Sequence, residues 1–192
     1  MPVWELNYMK KLASIVTSNG GRILEIGFGL GLSTGFIQDA NHIEKHIIIE
    51  PHPEIIEFAN EKFPDALSTG RMEIVPGFWE DVVPLFEAES FDGILFDTCL
   101  LAPEQEIGEI SSINFFMEAT REFSVEAYRL LKKGGIFTFY NPERLNLSDA
   151  KRKILLNSGF SSIDIEVVEV NNAPEDCKHW RYNTFVAPII HK

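Results

Sequence analysis

Arg22-Ile23-Leu24-Glu25-Ile26-Gly27-Phe28-Gly29-Leu30-Gly31 decides how this chain folds. A short apolar run ends in a glycine loop, and the loop opens into a segment with helical spacing that begins near Ser33. Glycines at the carboxyl end of a first strand let the backbone approach a ligand at the edge of a parallel sheet. The rest of the sequence fits that sheet. Strands are expected at HIIIE (46–50), RMEIV (71–75), FDGILFD (91–97) and GIFTFY (135–140), with helices starting near Ser33, Pro53, Trp79 and Ile113 between them. An amphipathic helix over Trp4 to Ser18 precedes the first strand and stops at Asn19-Gly20-Gly21.

After a helix at Ser148 to Asn157, IDIEVVEV and RYNTFVAPII read as an antiparallel pair that closes the sheet. The expected architecture is α/β: a Rossmann-like, mostly parallel seven-stranded sheet with an antiparallel C-terminal pair and helices on both faces. With 192 residues, 45% of them hydrophobic, the chain suffices for one core, so residues 1–192 are expected to form a single domain.

Bulk properties narrow the partners. A formal charge of −12 repels a phosphate backbone, which argues against nucleic acid and favours a small cationic substrate. No run approaches the ~20 apolar residues of a membrane span, and MPVWELNYMKK lacks the order of a signal peptide. The cytoplasm is therefore the expected compartment. Two cysteines, Cys99 and Cys177, make neither a disulfide framework nor a zinc site, and no metal is expected. His42 and His46 in HIEKH are not in the HExxH order and read as solvated loop residues.

The glycine loop has the spacing GxGxG and not GxGxxG, which counts against a pyrophosphate and for S-adenosyl-L-methionine. A tight turn without a ligand is the simpler alternative. Glu50 ends the second strand, where an acid accepts both hydrogen bonds of a ribose diol, with Pro51 next to it. Gly77-Phe78-Trp79 follows the third strand and brings aromatic surface toward an adenine, although either ring also suits a core. Asp97 ends the fourth strand, where an acid after GILF requires a partner or a ligand. Asp92, at the opposite edge, reads as structural.

Together, WELNYMKKLA, GGRILEIGFGLG, HIIIE, GFWEDV, FDGILFDT, AYRLLKKGG, TFYN and PEDCKHW resemble the guanidinoacetate N-methyltransferases and related arginine N-methyltransferases over nearly the whole chain. The resemblance implies a class I fold that uses S-adenosyl-L-methionine and releases S-adenosyl-L-homocysteine. It implies that Glu50 binds ribose and that the Gly27, Phe28, Gly29, Gly31 loop, following Glu25, takes the methionine part. Met9 and Phe78 or Trp79 would line the cofactor, and Glu5 with Asp97 would hold a guanidino group. That chemistry is sound, because a guanidinium is planar and barely nucleophilic, and two carboxylates both orient it and accept its proton. Asp97 is assigned the proton and Glu5 the clamp, while a plain acid at a helix N-terminus remains the simpler reading of Glu5.

Two departures from the family pattern matter. The chain starts close to the WExxYM helix, so a more open site, or closure by another subunit, is expected of a monomer or homodimer. Asn141-Pro142-Glu143 stands where the guanidinoacetate enzymes receive a carboxylate; Pro142 has no N–H and Glu143 repels an anion. The acceptor expected is thus a small guanidino compound, guanidinoacetate-like or arginine-like, with Glu143 placed to meet an α-amino group. An arginine side chain in a protein and a non-catalytic cofactor-binding role are the alternatives. A short-chain NAD(P) oxidoreductase is a remote one, resting on Tyr128 and Lys132 as YxxxK.

Overall fold

The structure, a computed structural model, describes residues 3–98, 109–170 and 182–192, with side chains at 4–98, 119–170 and 182–192. Cys99, Cys177 and the PEDCKHW segment lie outside the described residues.

Seven strands form one sheet in the order β3-β2-β1-β4-β5-β7-β6. They are β1 (Gly21–Ile26), β2 (Ile43–Glu50), β3 (Met72–Pro76), β4 (Phe91–Phe96), β5 (Leu131–Phe139), β6 (Ser162–Glu169) and β7 (Thr184–His191). The first five are parallel, and β7 runs antiparallel to both β5 and β6. The chain order reverses between β1 and β4, so the crevice where such sheets bind ligands lies above the carboxyl ends of those two strands.

The helices are α1 (Leu6–Val16), α2 (Leu32–Gln38), α3 (Pro53–Lys62), α4 (Pro64–Ser68), α5 (Trp79–Val82), α6 (Glu109–Leu130) and α7 (Asp149–Asn157), with a 3₁₀ turn at Val3–Glu5 leading into α1. They cover both faces because the strands alternate. Ile23, Leu95 and Ile136 point to one side, against Tyr8, Leu12 and Val16 of α1 and Ile37 of α2. Ile26, Phe96 and Phe137 point to the other, against Phe123 and Ala127 of α6 and Leu155 of α7. The Phe96 and Phe123 rings stack at 4.3 Å, and burying such a ring stabilises by roughly 1.5–3 kcal/mol.

Helix α1 is amphipathic at helical spacing: Tyr8, Met9, Leu12, Ala13, Ile15 and Val16 are buried and Lys10 is exposed. It ends at Val16, short of the expected Ser18. Strand β2 starts three residues earlier than expected, at Ile43. That overturns the reading of His46 as a solvated loop residue: it lies inside the strand and is fully buried. Strand β5 also starts early, at Leu131, with an irregular register between Phe91 and Gly93 of β4 that accommodates Lys132 to Gly135. Among the described residues no helix is long and apolar enough to cross a membrane.

Candidate active site

The parallel strands deliver their last residues to one edge. Gly27 follows β1, Glu50 ends β2, Gly77 follows β3, Asp97 follows β4 and Tyr140 follows β5. The edge is laced together by the backbone: Gly27 N–H donates to Ile49 O at 2.9 Å, Gly77 N–H to Glu50 O at 3.2 Å, and Asp97 N–H to Ile26 O at 3.0 Å.

The glycine loop is held by sterics. Gly27 has φ 88°, and a Cβ there would stand 2.3 Å from the Asp97 carbonyl oxygen. Gly31 has φ 65°, and a Cβ would meet the Phe28 ring at 2.5 Å. Phe28 is therefore the post around which the loop wraps. Its ring is buried, edge-on to Phe58 and Phe63 of the α3 region. From the end of α3, Lys62 Nζ donates to Leu30 O at 2.6 Å and lies over the Phe58 and Phe63 rings.

Glu50 is 4% exposed, and each of its oxygens accepts a backbone N–H: Phe28 to Oε2 at 2.9 Å and His52 to Oε1 at 3.0 Å. A carboxylate oxygen has two lone-pair sites, so this clamp fixes Glu50 and leaves each oxygen able to accept one bond more. That suits a ribose diol. A concavity lined by His52, Pro53, Glu54 and Ile55 opens beside it. Across the edge Phe78 is exposed, whereas Trp79 packs edge-on against Phe96 and Phe123. Of the two aromatics, Phe78 is the one that presents surface to a ligand.

Several expected contact residues present none. Met9 is fully buried between α1 and the sheet, and the Phe28 ring is buried while its backbone N–H faces Glu50. Glu25 is fully buried as well. Its carboxylate accepts the Ser33 hydroxyl and, at 2.7 Å, the Thr34 hydroxyl, with His46 Nε2 3.0 Å away and His46 Nδ1 3.0 Å from Gln38 Nε2. Glu25 ties the first turn of α2 to β1 and acts on the site by its charge.

The acceptor side differs. Glu5 is 4% exposed; Oε1 accepts the Tyr140 hydroxyl at 2.8 Å, and Oε2 is buried with no hydrogen-bond partner among the described residues. Burial pushes the Glu5 carboxyl above its usual range, opposed by the Tyr140 bond. Asp97 keeps some surface, and its carboxyl has no hydrogen-bond partner among the described residues. Desolvation, then the charges of Glu25 and Glu5, push it up to about 8. The charge of the amino terminus opposes both shifts. Among the described residues neither acid is paired with a cation, an arrangement that suits a positive ligand.

Asn141 and Glu143 belong to a different network. Lys151 of α7 is buried, donates to Asn141 Oδ1 and lies 3.6 Å from Glu143, whose other oxygen accepts Ser148 N–H at 3.0 Å. Glu143 is therefore neutralised within the protein. The reading of Glu143 as a free charge that repels an anion or meets a substrate's amino group does not include this partner, because the sequence gives no sign that Lys151 folds inward, eight residues on. Asn141 is fully buried, and Pro142 alone of this trio is exposed. Asp92 accepts Arg22 N–H at 2.8 Å and Lys132 Nζ at 2.7 Å at the opposite edge. Lys132 is thereby kept from the glycine loop, and Tyr128 packs on Phe160, so the YxxxK pair forms no site there. Tyr140 and Tyr8 are the site residues that sequence reasoning missed. Both tyrosines stand inside segments that carry the resemblance, Tyr8 in WExxYM and Tyr140 in TFYN, and that was the available signal.

A family model described as guanidinoacetate N-methyltransferase matches residues 1–192. Protein arginine N-methyltransferase 2 of Aspergillus oryzae is 31% identical over 180 residues, covering 88% of this chain and 39% of that protein. The protein of the same name from Neurospora crassa is 26% identical over 219 residues, covering 98% of this chain and 48% of its own. The chain thus spans less than half the length of these relatives. Among solved structures, spermidine synthase from Thermotoga maritima superposes with a TM-score of 0.67 at 19% identity, over 97% of this chain and 60% of that one. Precorrin-6y C5,15-methyltransferase from Geobacter metallireducens gives 0.63 at 14%, over 95% and 84%. Both likenesses concern the fold.

Proposed function

This chain belongs to the guanidinoacetate N-methyltransferase family, and from that premise we propose that it transfers a methyl group from S-adenosyl-L-methionine to a guanidino nitrogen of a small molecule. The observation that carries the acceptor is the pair Glu5 and Asp97: the Glu5 charge raises the Asp97 pKa, and neither carboxyl has a cationic side chain paired with it among the described residues. A guanidinium supplies the missing charge and a fork of N–H donors.

The cofactor side fits an adenosyl group on its own terms. Glu50, held by two backbone N–H groups with lone pairs to spare, is the ribose acceptor, the glycine loop admits backbone contact where a Cβ would collide, and Phe78 offers a face to the base. When bound, S-adenosyl-L-methionine supplies an electrophilic methyl group. The chain's own part is positioning and proton transfer. Glu5 Oε2 and the Asp97 carboxylate orient the guanidino plane, and Asp97, poised near neutral pH, takes the proton that the nitrogen must lose as its new bond forms.

A second reading, methylation of an arginine side chain in a protein, is supported by the names of the relatives. One experiment separates them: mass spectrometry after incubating the protein with S-adenosyl-L-methionine and guanidinoacetate, arginine, agmatine or an arginine peptide. A gain of one methyl mass on a small acceptor is expected. A gain on the peptide alone replaces the small-molecule reading, and no gain on any of the four sinks guanidino methylation.

A further inference from the structure

Tyr140 follows β5, and its hydroxyl reaches Glu5 across 135 residues of sequence. Glu5 then has one oxygen engaged by that hydroxyl and one, Oε2, buried without a partner among the described residues and open at both lone pairs. We propose that Tyr140 is a positioning residue for the acceptor: by occupying Oε1 it fixes the plane of the Glu5 carboxylate and leaves Oε2 as the oxygen that Glu5 offers to the guanidino group. The proposal rests on the guanidino reading and deepens it, because it divides labour between the two acids.

A carboxylate with both oxygens free grips a guanidinium side-on through two parallel bonds. Glu5, with Oε1 held, is set to accept end-on through Oε2. Asp97, whose carboxyl has no hydrogen-bond partner among the described residues, keeps the side-on geometry and with it the proton-accepting role. Glu5 is the strut and Asp97 the fork.

The Tyr140 hydroxyl is well aimed for this task. Its ring meets Tyr8 edge-on at 5.6 Å and Phe185 at 5.8 Å. Tyr8 in turn donates to Val186 O at 2.9 Å, accepts Asn141 N–H at 3.0 Å and stacks on Phe185 at 4.8 Å. The phenol is braced on two sides and has little freedom to swing away. Burial and the Glu5 charge push the Tyr140 hydroxyl far above the range in which it titrates, so it remains a donor. A hydroxyl donating to a carboxylate favours the charged form, which works against the desolvation of Glu5.

The groups that act on Glu5 are Tyr140 after β5, Asp97 after β4, Tyr8 on its own helix and the charge of the amino terminus, which Tyr140→Phe leaves in place. On the remaining packed elements, Lys11 of α1 and Glu166 of β6 are paired with each other at 2.7 Å and partly exposed. Removing the Tyr140 hydroxyl therefore acts on Glu5 directly.

The test is Tyr140→Phe, which keeps the ring and removes the donor. Two quantities are read on the intact protein. The first is steady-state methylation of the best guanidino acceptor, where kcat/KM is expected to fall about tenfold, mostly through KM, with the cofactor Kd unchanged. The second needs no turnover: in protein carrying ¹³C at glutamate side-chain carboxyls, Glu5 is expected to titrate at a higher pH in the variant than in the wild type. A kcat/KM within twofold of wild type overturns the proposal, and so does an unmoved Glu5 titration. If the wild type methylates no guanidino compound, that reading fails separately, and the Glu5 titration alone decides for or against Tyr140.

Discussion

The two halves of the crevice are prepared in opposite ways. On the cofactor half the protein satisfies itself: Glu50 accepts two backbone N–H groups, Glu25 accepts two hydroxyls, and Lys62 holds the loop carbonyl of Leu30. On the proposed acceptor half it does not: Glu5 Oε2 has no partner among the described residues, and burial and like charge push Asp97 up to about 8. The first half is a mould that exists before its ligand. On the proposed reading the second is a pair of acids that a cationic acceptor would relieve, and binding energy would thereby favour one kind of charge.

Asp97→Asn should break the contrast most severely. It retains the shape of the side chain and removes the proton acceptor, so kcat is expected to fall about 10²- to 10⁴-fold. Cofactor affinity measured by calorimetry should change little. An equal loss in both would place Asp97 on the cofactor half instead.

The pH dependence sharpens the contrast next. A cation binds the ionised Asp97, so apparent acceptor affinity should rise about tenfold per pH unit below the pKa of about 8 and level off above it. Stability moves the other way. The folded pKa lies above the unfolded value, so the protonated carboxyl's contribution is fully present below about pH 4 and is lost as pH rises through about 8. Thermal melts of the ligand-free protein should show Tm falling across that window, and Asp97→Asn should flatten the fall. A Tm that rises with pH there in the wild type, and equally in the variant, would remove Asp97 as the source.

On the cofactor half the expected effects are smaller, since each group shares its task with backbone. Glu50→Gln should weaken cofactor binding by about tenfold while kcat at saturating cofactor stays close to wild type. Lys62→Met should weaken it by only about threefold, because the lysine is exposed and its bond competes with water. Equal effects of these two variants would mean that Lys62 controls the whole loop rather than one peptide.

The sequence makes the sheet and the strand-end acids readable because both are local patterns. An apolar run closed by Glu50 or Asp97 declares its own end, and the glycine spacing declares the loop. What stays hidden is contact between distant segments. Nothing near Tyr140 announces Glu5, 135 residues away, and nothing near Glu143 announces that Lys151 turns inward to meet it. His46 is misread for a different reason. The polar residues Glu44 and Lys45 mask the first turn-out of β2, so a buried imidazole beside Glu25 passes for a surface residue. Met9 and Phe28 show what family likeness leaves out: it names positions, while the burial of their side chains appears only in the fold.

The Tyr8 hydroxyl bonds to Val186 across 178 residues of sequence, and this bears on when the molecule becomes competent. A ribosome releases the glycine loop, Glu50 and Asp97 well before β7, and proteins tend to organise from the segments made first. Until Val186 has emerged, α1 can pack on β1, β4, β5 and α2, but the Tyr8 hydroxyl lacks the carbonyl it bonds to. A nascent chain can thus shape its nucleoside half early, while the half that selects the acceptor is completed only once the closing strand has docked.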